Sequence, residues 1–434
     1  MRRKTKRKTS HFKKSFSIIL IVILIAIIAY ISYNKIINNQ KEKEKFQEET
    51  VLNNIKKHYS HYVITTKETN LLNKNEEVVG KINNNVKLLL EEVSITKKTK
   101  YFELSFEGDT YYVSYEDVAP TEEFIISDHY KNYIPYNQNI TTKETTTFYD
   151  NDNNYLYEIS KSYEFPIIIK DTDRYGIIYN SNLLYIKKDD VSKVENHHNT
   201  DKSNSNGVAV LNYHFFYDEN NAEDAAGCRE GICHSKKQFK THLDYLKEKN
   251  IFTVTMNELE MYMDGKLQLP KSVLITIDDG ARTKDGIDLL TEYKMNATIF
   301  LITSWFDPKT YYKTDYIELH SHSHNLHNGG KCSGGQGAEI KCLPKDEILK
   351  DLAASREALN GTTAFCYPFY EYNTYSTNLL KEAGFTMAFI GEIPTSYGYQ
   401  LATVKGDKYK IPRFVIMTHT TIKDLDNYFN EIKN

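Results

Sequence analysis

Two adjacent carboxylates close an apolar run: Ser272-Val-Leu-Ile-Thr-Ile277 is followed by Asp278-Asp279-Gly280. The run has the β-branched and apolar residues of a buried strand, and the glycine lets the chain turn. Neighbouring carboxylates suit two unlike jobs. One that binds a cation has its pKa lowered, while the other stays free to take a proton. Downstream, Glu318-Leu-His-Ser-His-Ser-His-Asn-Leu-His327 places four histidines in eight positions. One Asp with two His is a nitrogen and oxygen ligand set for zinc or a similar divalent metal, with a position left open for water. A strand-end turn accounts for Asp278-Asp279 taken alone; the histidines make the pair a candidate metal-and-base centre.

The elements that must position these residues alternate from Gly207 onward. Val208-Ala-Val-Leu-Asn-Tyr-His214 reads as a strand, and residues 236–250 as an amphipathic helix with Phe239, Leu243 and Leu246 on one face. Strands at 252–255, 273–277, 297–302 and 316–319 follow, then a helix at 345–359, a strand at 364–367, a helix near 377–383, and strands at 387–390 and 413–416. Such alternation implies a parallel sheet, expected to close into a barrel, and the candidate chemistry lies at strand C-terminal ends, where such folds place their sites.

Before this region, charge and hydropathy change sharply. The net charge of 434 residues is −3, yet the first fourteen hold eight Lys and Arg and no acid, so the remainder sums to −11. That acidic balance excludes nucleic acid as a partner, because phosphate binding needs clustered Lys and Arg. Residues 15–33 carry no charge and are about long enough to span a bilayer as a helix. The basic flank predicts a cytoplasmic N-terminus and everything after Asn34 outside. A cleaved signal peptide needs a shorter apolar core and small residues before the cut, which Ile31-Ser-Tyr-Asn-Lys35 does not offer.

The organisation expected is a basic tail (1–14), a transmembrane anchor (15–33), a charged stalk (34–60), two β-rich segments (61–120 and 137–194), a polar linker (195–206) and the α/β domain (207–434). The β-rich segments read as an internal repeat: Thr65-Thr-Lys-Glu-Thr69 recurs as Thr141-Thr-Lys-Glu-Thr145, and Tyr112-Val-Ser-Tyr-Glu-Asp-Val118 as Tyr185-Ile-Lys-Lys-Asp-Asp-Val191. Short β-rich runs between polar turns fit two small all-β barrels, resembling bacterial SH3-like modules, that act as a spacer or contact the cell wall. Of five cysteines, Cys228, Cys233, Cys332 and Cys342 suit two disulfides outside the cell, local pairing needing the least rearrangement. Cys366 reads as a small buried hydrophobe.

The motifs of residues 207–434 resemble a NodB-homology polysaccharide deacetylase. Thr276-Ile-Asp-Asp-Gly280 stands where that family has Thr-Phe-Asp-Asp-Gly, which implies Asp278 as general base and Asp279 as metal ligand. Ser321-His-Ser-His-Asn-Leu-His327 resembles the motif that supplies two metal-binding histidines. A four-residue spacing selects His320 and His324. The five-residue spacing of the branch that includes biofilm poly-N-acetylglucosamine deacetylases selects His322 and His327, leaving His324 to support a ligand or touch substrate. Phe365-Cys-Tyr-Pro-Phe-Tyr370 resembles a groove wall offering a backbone N–H, near Tyr370, to the oxyanion. In that branch the acid comes from a first strand ending in Tyr-His, which implies His214, with His419 the alternative. Arg413 is expected to contact the base or the substrate, or to form a surface ion pair. Aromatic residues at 213, 215–217, 367, 369, 370 and 372 are expected to line a sugar-stacking groove.

Together these expectations describe a membrane-anchored extracellular N-deacetylase acting on an N-acetylglucosamine glycan, with zinc, cobalt or nickel as cofactor. An O-acetyl esterase using the same chemistry and a catalytically inactive wall-binding protein are the alternatives.

Overall fold

The computed structural model describes residues 6–59, 61–90, 95–96, 100–122, 128–179, 182–197, 204–228, 231–391 and 400–433. Arg2, Arg3 and Lys4 of the basic tail and His198 of the linker lie outside them. The chain divides into two compact units, residues 1–125 with 144–161, and residues 126–143 with 162–434.

The first unit opens with one helix, α1, Lys6–His58, of 53 residues. The expected boundary between apolar span and charged stalk is therefore not a break: Lys, Glu and Gln are strong helix formers, and residues 40–49 continue the turn set by the isoleucines. Its apolar side chains from Ile18 to Tyr33 are exposed, and it is long and apolar enough to cross a membrane. After it, Tyr62–Thr65 pairs antiparallel with Lys87–Leu89 and with Val118–Pro120. Thr69–Leu72 pairs with Val78–Ile82, and Tyr101–Phe106 forms a hairpin with Asp109–Ser114. Tyr155–Ile159 pairs with Thr146–Tyr149 and also with Val78–Ile82. Residues 144–161, inside the segment expected as the second β-rich copy, thus belong to this unit.

In the second unit Gln138–Thr142 pairs antiparallel with Glu164–Pro166 and with Val191–Asn196, and Arg174–Tyr179 forms a hairpin with Asn182–Lys187. This order of pairings follows that of residues 62–120 strand for strand.

The rest of the second unit is built on a parallel sheet. Its strands are β1 (Val208–Tyr213), β2 (Ser272–Ile277), β3 (Ala297–Leu301), β4 (Ile317–Ser321), β5 (Ala364–Cys366), β6 (Met387–Phe389) and β7 (Phe414–Val415). They lie in the order β6-β5-β4-β3-β2-β1-β7, every pair parallel. Strands β1, β2 and β3 are buried along their whole length, as parallel strands covered on both faces must be. The ladder does not close into a regular barrel. An eighth short strand, Phe252–Thr253, pairs parallel with β2 off this ladder; among the described residues, β6 and the approach to β7 are joined by one isolated parallel bridge, Phe389 to Ile411.

Helices Lys236–Glu248, Lys284–Tyr293 and Ile422–Phe429 flank the sheet and bury apolar faces against it, Phe239, Leu243 and Leu246 packing with Leu211, Ile275, Ile287, Leu290 and Leu425. Ser235 caps the first through the Gln238 amide, and Thr421 with Asp424 forms a capping box on the last. A second core under β4 to β6 holds Ile348, Leu352, Phe365, Leu379 and Leu380. The two local disulfides are present, Cys228–Cys233 and Cys332–Cys342.

Candidate active site

At the end of β2 the two carboxylates part company. The Asp278 amide donates to the Tyr213 carbonyl at 3.0 Å, extending the β1–β2 register by one residue. Asp279 then takes φ +70° and Gly280 φ +92°, left-handed conformations that reverse the chain. A Cβ on Gly280 would collide with Leu301 of β3, so only glycine fits there. The backbone flip sends the neighbouring side chains into different surroundings.

Asp278 faces inward and is 1% exposed. Arg413, just before β7, grips it with two parallel bonds, Nη1 to Oδ1 at 2.7 Å and Nη2 to Oδ2 at 2.8 Å. The guanidinium also donates to Thr276 Oγ1 and, through Nε, to the Ile390 carbonyl. The Cys366 thiol lies 3.4 Å from Asp278 Oδ2 and 3.1 Å from Arg413 Nη2. Burial alone would raise the Asp278 pKa, but the Arg413 guanidinium holds it well below the usual carboxylate range. Arg413 is thus not in a surface ion pair: its side chain is fully buried and holds Asp278. A charge this deep needs a fully hydrogen-bonded partner, and Asp278 is that partner.

Asp279 faces the histidine loop. His322 follows β4, its amide on the Leu301 carbonyl, and its Nδ1 lies 2.9 Å from the Cys366 carbonyl. A carbonyl only accepts, so Nδ1 carries hydrogen, and in the neutral ring that a metal would bind Nε2 keeps its lone pair. Ser323, at φ +73°, turns the chain so that His327 comes back beside His322, the rings 4.8 Å apart. The turn is pinned from below: Asp351, on the helix Lys345–Ala358, accepts the His324 and Asn325 amides at 2.8 and 2.6 Å. His322 Nε2 and His327 Nε2 then stand 3.3 and 3.4 Å from Asp279 Oδ1. Burial, with His322 alongside, brings the His327 pKa down to about 4, which keeps its ring neutral.

Asp279 Oδ1 is buried and has no hydrogen-bond partner. An orphaned carboxylate oxygen facing two imidazole nitrogens is the donor set that a divalent metal completes, and all three ligating atoms lie within 4.8 Å of one another. The residues fit the group.

The alternative histidines point elsewhere. His320 Nδ1 is 2.8 Å from Thr362 Oγ1, and His324 Nδ1 is 3.0 Å from Thr303 Oγ1. His214, after β1, is buried, with Nε2 3.2 Å from the Tyr370 hydroxyl and Nδ1 without a partner. Burial lowers its pKa, against the pull of Asp278 and Asp279. His419 is exposed.

One expectation for the aromatic residues needs correcting. The Tyr370 amide donates to the Tyr367 carbonyl at 3.0 Å, closing the turn Pro368–Tyr370, while the Tyr370 hydroxyl lies 3.2 Å from His214 Nε2. Of the aromatic groove, Tyr213, Phe216 and Tyr367 are at most 1% exposed: they are core. Phe369 lies against the ligand-set ring of His327, centroids 4.5 Å apart.

Three residues at the site escaped the sequence reading. Cys366 was legible as buried but not as a neighbour of Asp278. Asn212 hides inside the β1 run. Trp305, the single tryptophan, is half exposed with its ring 5.7 Å from that of His327; its place just past the end of β3 was the available signal.

The polysaccharide deacetylase family model matches residues 266–388. A poly-β-1,6-N-acetyl-D-glucosamine N-deacetylase of Staphylococcus aureus (strain MSSA476) is 27% identical over 267 residues, covering 52% of this chain and 87% of that protein. Among solved structures, a de-N-acetylase from Aggregatibacter actinomycetemcomitans aligns at TM-score 0.42 and 20% identity, covering 51% of this chain and 99% of that one. A polysaccharide deacetylase from Bacillus cereus aligns at TM-score 0.41 and 15% identity, covering 72% and 93%. The chain carries a polysaccharide deacetylase domain of NodB homology, homologous to poly-N-acetylglucosamine deacetylases.

Proposed function

We propose that this chain is a membrane-anchored, extracellular, metal-dependent polysaccharide N-deacetylase that removes acetyl groups from a glycan containing N-acetylglucosamine. One observation carries the reading: the unpartnered Asp279 Oδ1 opposite two imidazole Nε2 atoms, beside a second carboxylate held apart by Arg413. The homology to poly-N-acetylglucosamine deacetylases supports the substrate class.

Asp279, His322 and His327 would hold zinc, cobalt or nickel, which when bound polarises an acyl oxygen and makes water more acidic. Asp278 takes the proton of the attacking water. Arg413 keeps it ionised and oriented, and each carboxylate oxygen retains a lone pair for that proton. His214, as imidazolium, gives a proton to the departing sugar nitrogen, because an amide nitrogen leaves poorly without one. The carbon–nitrogen bond breaks with its electron pair going to nitrogen, and the products are acetate and a glucosamine unit. The exposed apolar span of α1 supports membrane anchoring. The repeated pairing order supports reading 61–120 and 137–194 as two SH3-like copies that space the enzyme from the membrane.

Substitutions at the ligand set and the base separate the two roles. Asp279→Asn keeps a residue type that tolerates the left-handed backbone but removes the charged ligand. Asp279→Asn and His322→Ala are expected to lose bound metal and turnover together. Asp278→Asn is expected to keep metal and lose at least about 100-fold in turnover. Metal content by elemental analysis, read beside acetate release, checks this, and unimpaired turnover in Asp278→Asn would refute the assignment.

A further inference from the structure

We infer that the Tyr370 hydroxyl is a positioning group for the proton donor His214, deciding which ring nitrogen carries the proton that leaves. The inference rests on the N-deacetylase reading above and extends it to a residue outside the ligand set.

The backbone shows that this side chain is placed with effort. Phe369 and Tyr370 hold φ +56° and +60° in succession, a left-handed pair of non-glycine residues, each in a strained conformation. Such strain persists only where the surroundings fix it. Here the Tyr370 ring fills the space that a Cβ on Gly391 would need. The Arg413 guanidinium carbon lies 5.4 Å from its centroid, and its plane stands nearly perpendicular to the His214 ring, at 86°.

The hydrogen bonds then fix a direction. The Tyr370 hydroxyl is 2.8 Å from Asn212 Oδ1 and 3.2 Å from His214 Nε2. Asn212 is fully buried, and its Nδ2 donates to the Tyr213 carbonyl, so its Oδ1 is the end that faces the phenol. An amide oxygen only accepts, so the phenol's single proton goes to Asn212. The phenol oxygen then offers His214 a lone pair, and Nε2 must be the nitrogen that bears hydrogen. His214 Nδ1 is buried and unpartnered, so the Tyr370 contact is what orients the ring.

The arrangement serves both charge states of the donor. Before transfer, His214 Nε2–H points at the phenol oxygen and the phenol proton rests on Asn212. In the imidazolium both ring nitrogens carry hydrogen; as the Nε2–H bond breaks and an N–H bond forms on the leaving sugar nitrogen, Nδ1 keeps its hydrogen and Nε2 becomes a bare acceptor. Rotation of the phenol proton from Asn212 Oδ1 to Nε2 satisfies it, with no other group moving.

The test compares an amide with an ester on the full chain in detergent, loaded with zinc. The amide is an N-acetylglucosamine oligomer; the ester is 4-nitrophenyl acetate, whose leaving group departs without a proton. For Tyr370→Phe, the amide kcat is expected to fall about 10–100-fold with KM little changed. Ester kcat/KM is expected to stay within about threefold, and Tyr370→Phe should add no further amide loss on top of His214→Ala. Asn212→Leu, similar in size but without the acceptor, is expected to repeat the amide-selective loss. Equal losses on both substrates, an unchanged or faster amide reaction, or additive losses with His214→Ala would overturn the inference. Wild-type chain that cleaves the ester but releases no amine would instead refute the deacetylase reading on which it stands.

Discussion

Asp278 and Asp279 are adjacent in the chain, yet one is locked to Arg413 and the other opens onto two histidines. A single left-handed residue makes the difference, because the flip at Asp279 turns two like charges away from each other. Arg413 is then the chief group holding Asp278 ionised in a buried site, with His322 and His214 adding to it. Arg413→Met leaves a buried carboxylate unpaired and is expected to destabilise the fold by about 3–5 kcal/mol; urea unfolding measures it, and an unchanged midpoint would show that the pair is not what holds Asp278. The ligand set was legible because its members fall in two tight clusters whose residue types are diagnostic. Arg413 was reached only through the family resemblance, and Cys366 as a neighbour of Asp278 not at all, since each meets Asp278 across a long separation, 135 and 88 residues, and neither residue type announces a partner. His214 was reached through the family resemblance, not through its own surroundings.

Elements carry the site by their ends. β1, β2 and β4 deliver His214, Asp278 and His322 within a residue of their C-termini, and the loop from His322 to His327 completes the set. That loop is held by Asp351 on a neighbouring helix, whose carboxylate takes two of its amides. Asp351→Ala is expected to weaken zinc binding about 10–100-fold while leaving the ligands in place, measured by competition with a chelator; equal affinity would mean the loop holds itself. The strands were legible as unbroken β-branched runs. The irregular closure in place of a regular barrel was not, because Lys408 and Ile411 meet β6 and its neighbour Ile390 through backbone hydrogen bonds rather than an alternating or apolar pattern. The unbroken length of α1 follows from helix propensity that runs on through the change in hydropathy, from the apolar span into the helix-friendly charged stalk.

At the scale of the molecule, an apolar helix, disulfide-linked loops and an acidic catalytic unit fit work outside a membrane. Deleting residues 1–33 is expected to move the chain from the carbonate-washed membrane fraction to the soluble one, and full-length chain already soluble would contradict anchoring. Two disulfides were expected, but the sequence did not choose among the three pairings of four cysteines; the local pairs found are those that need the least rearrangement. The most direct measurement of the central claim is the release of acetate and free amine from an N-acetylglucosamine polymer by the chain, stripped of metal and then reloaded. The account gives no release without metal, and equal amounts of both products once it is restored. Acetate without amine, or release that ignores the metal, would contradict it.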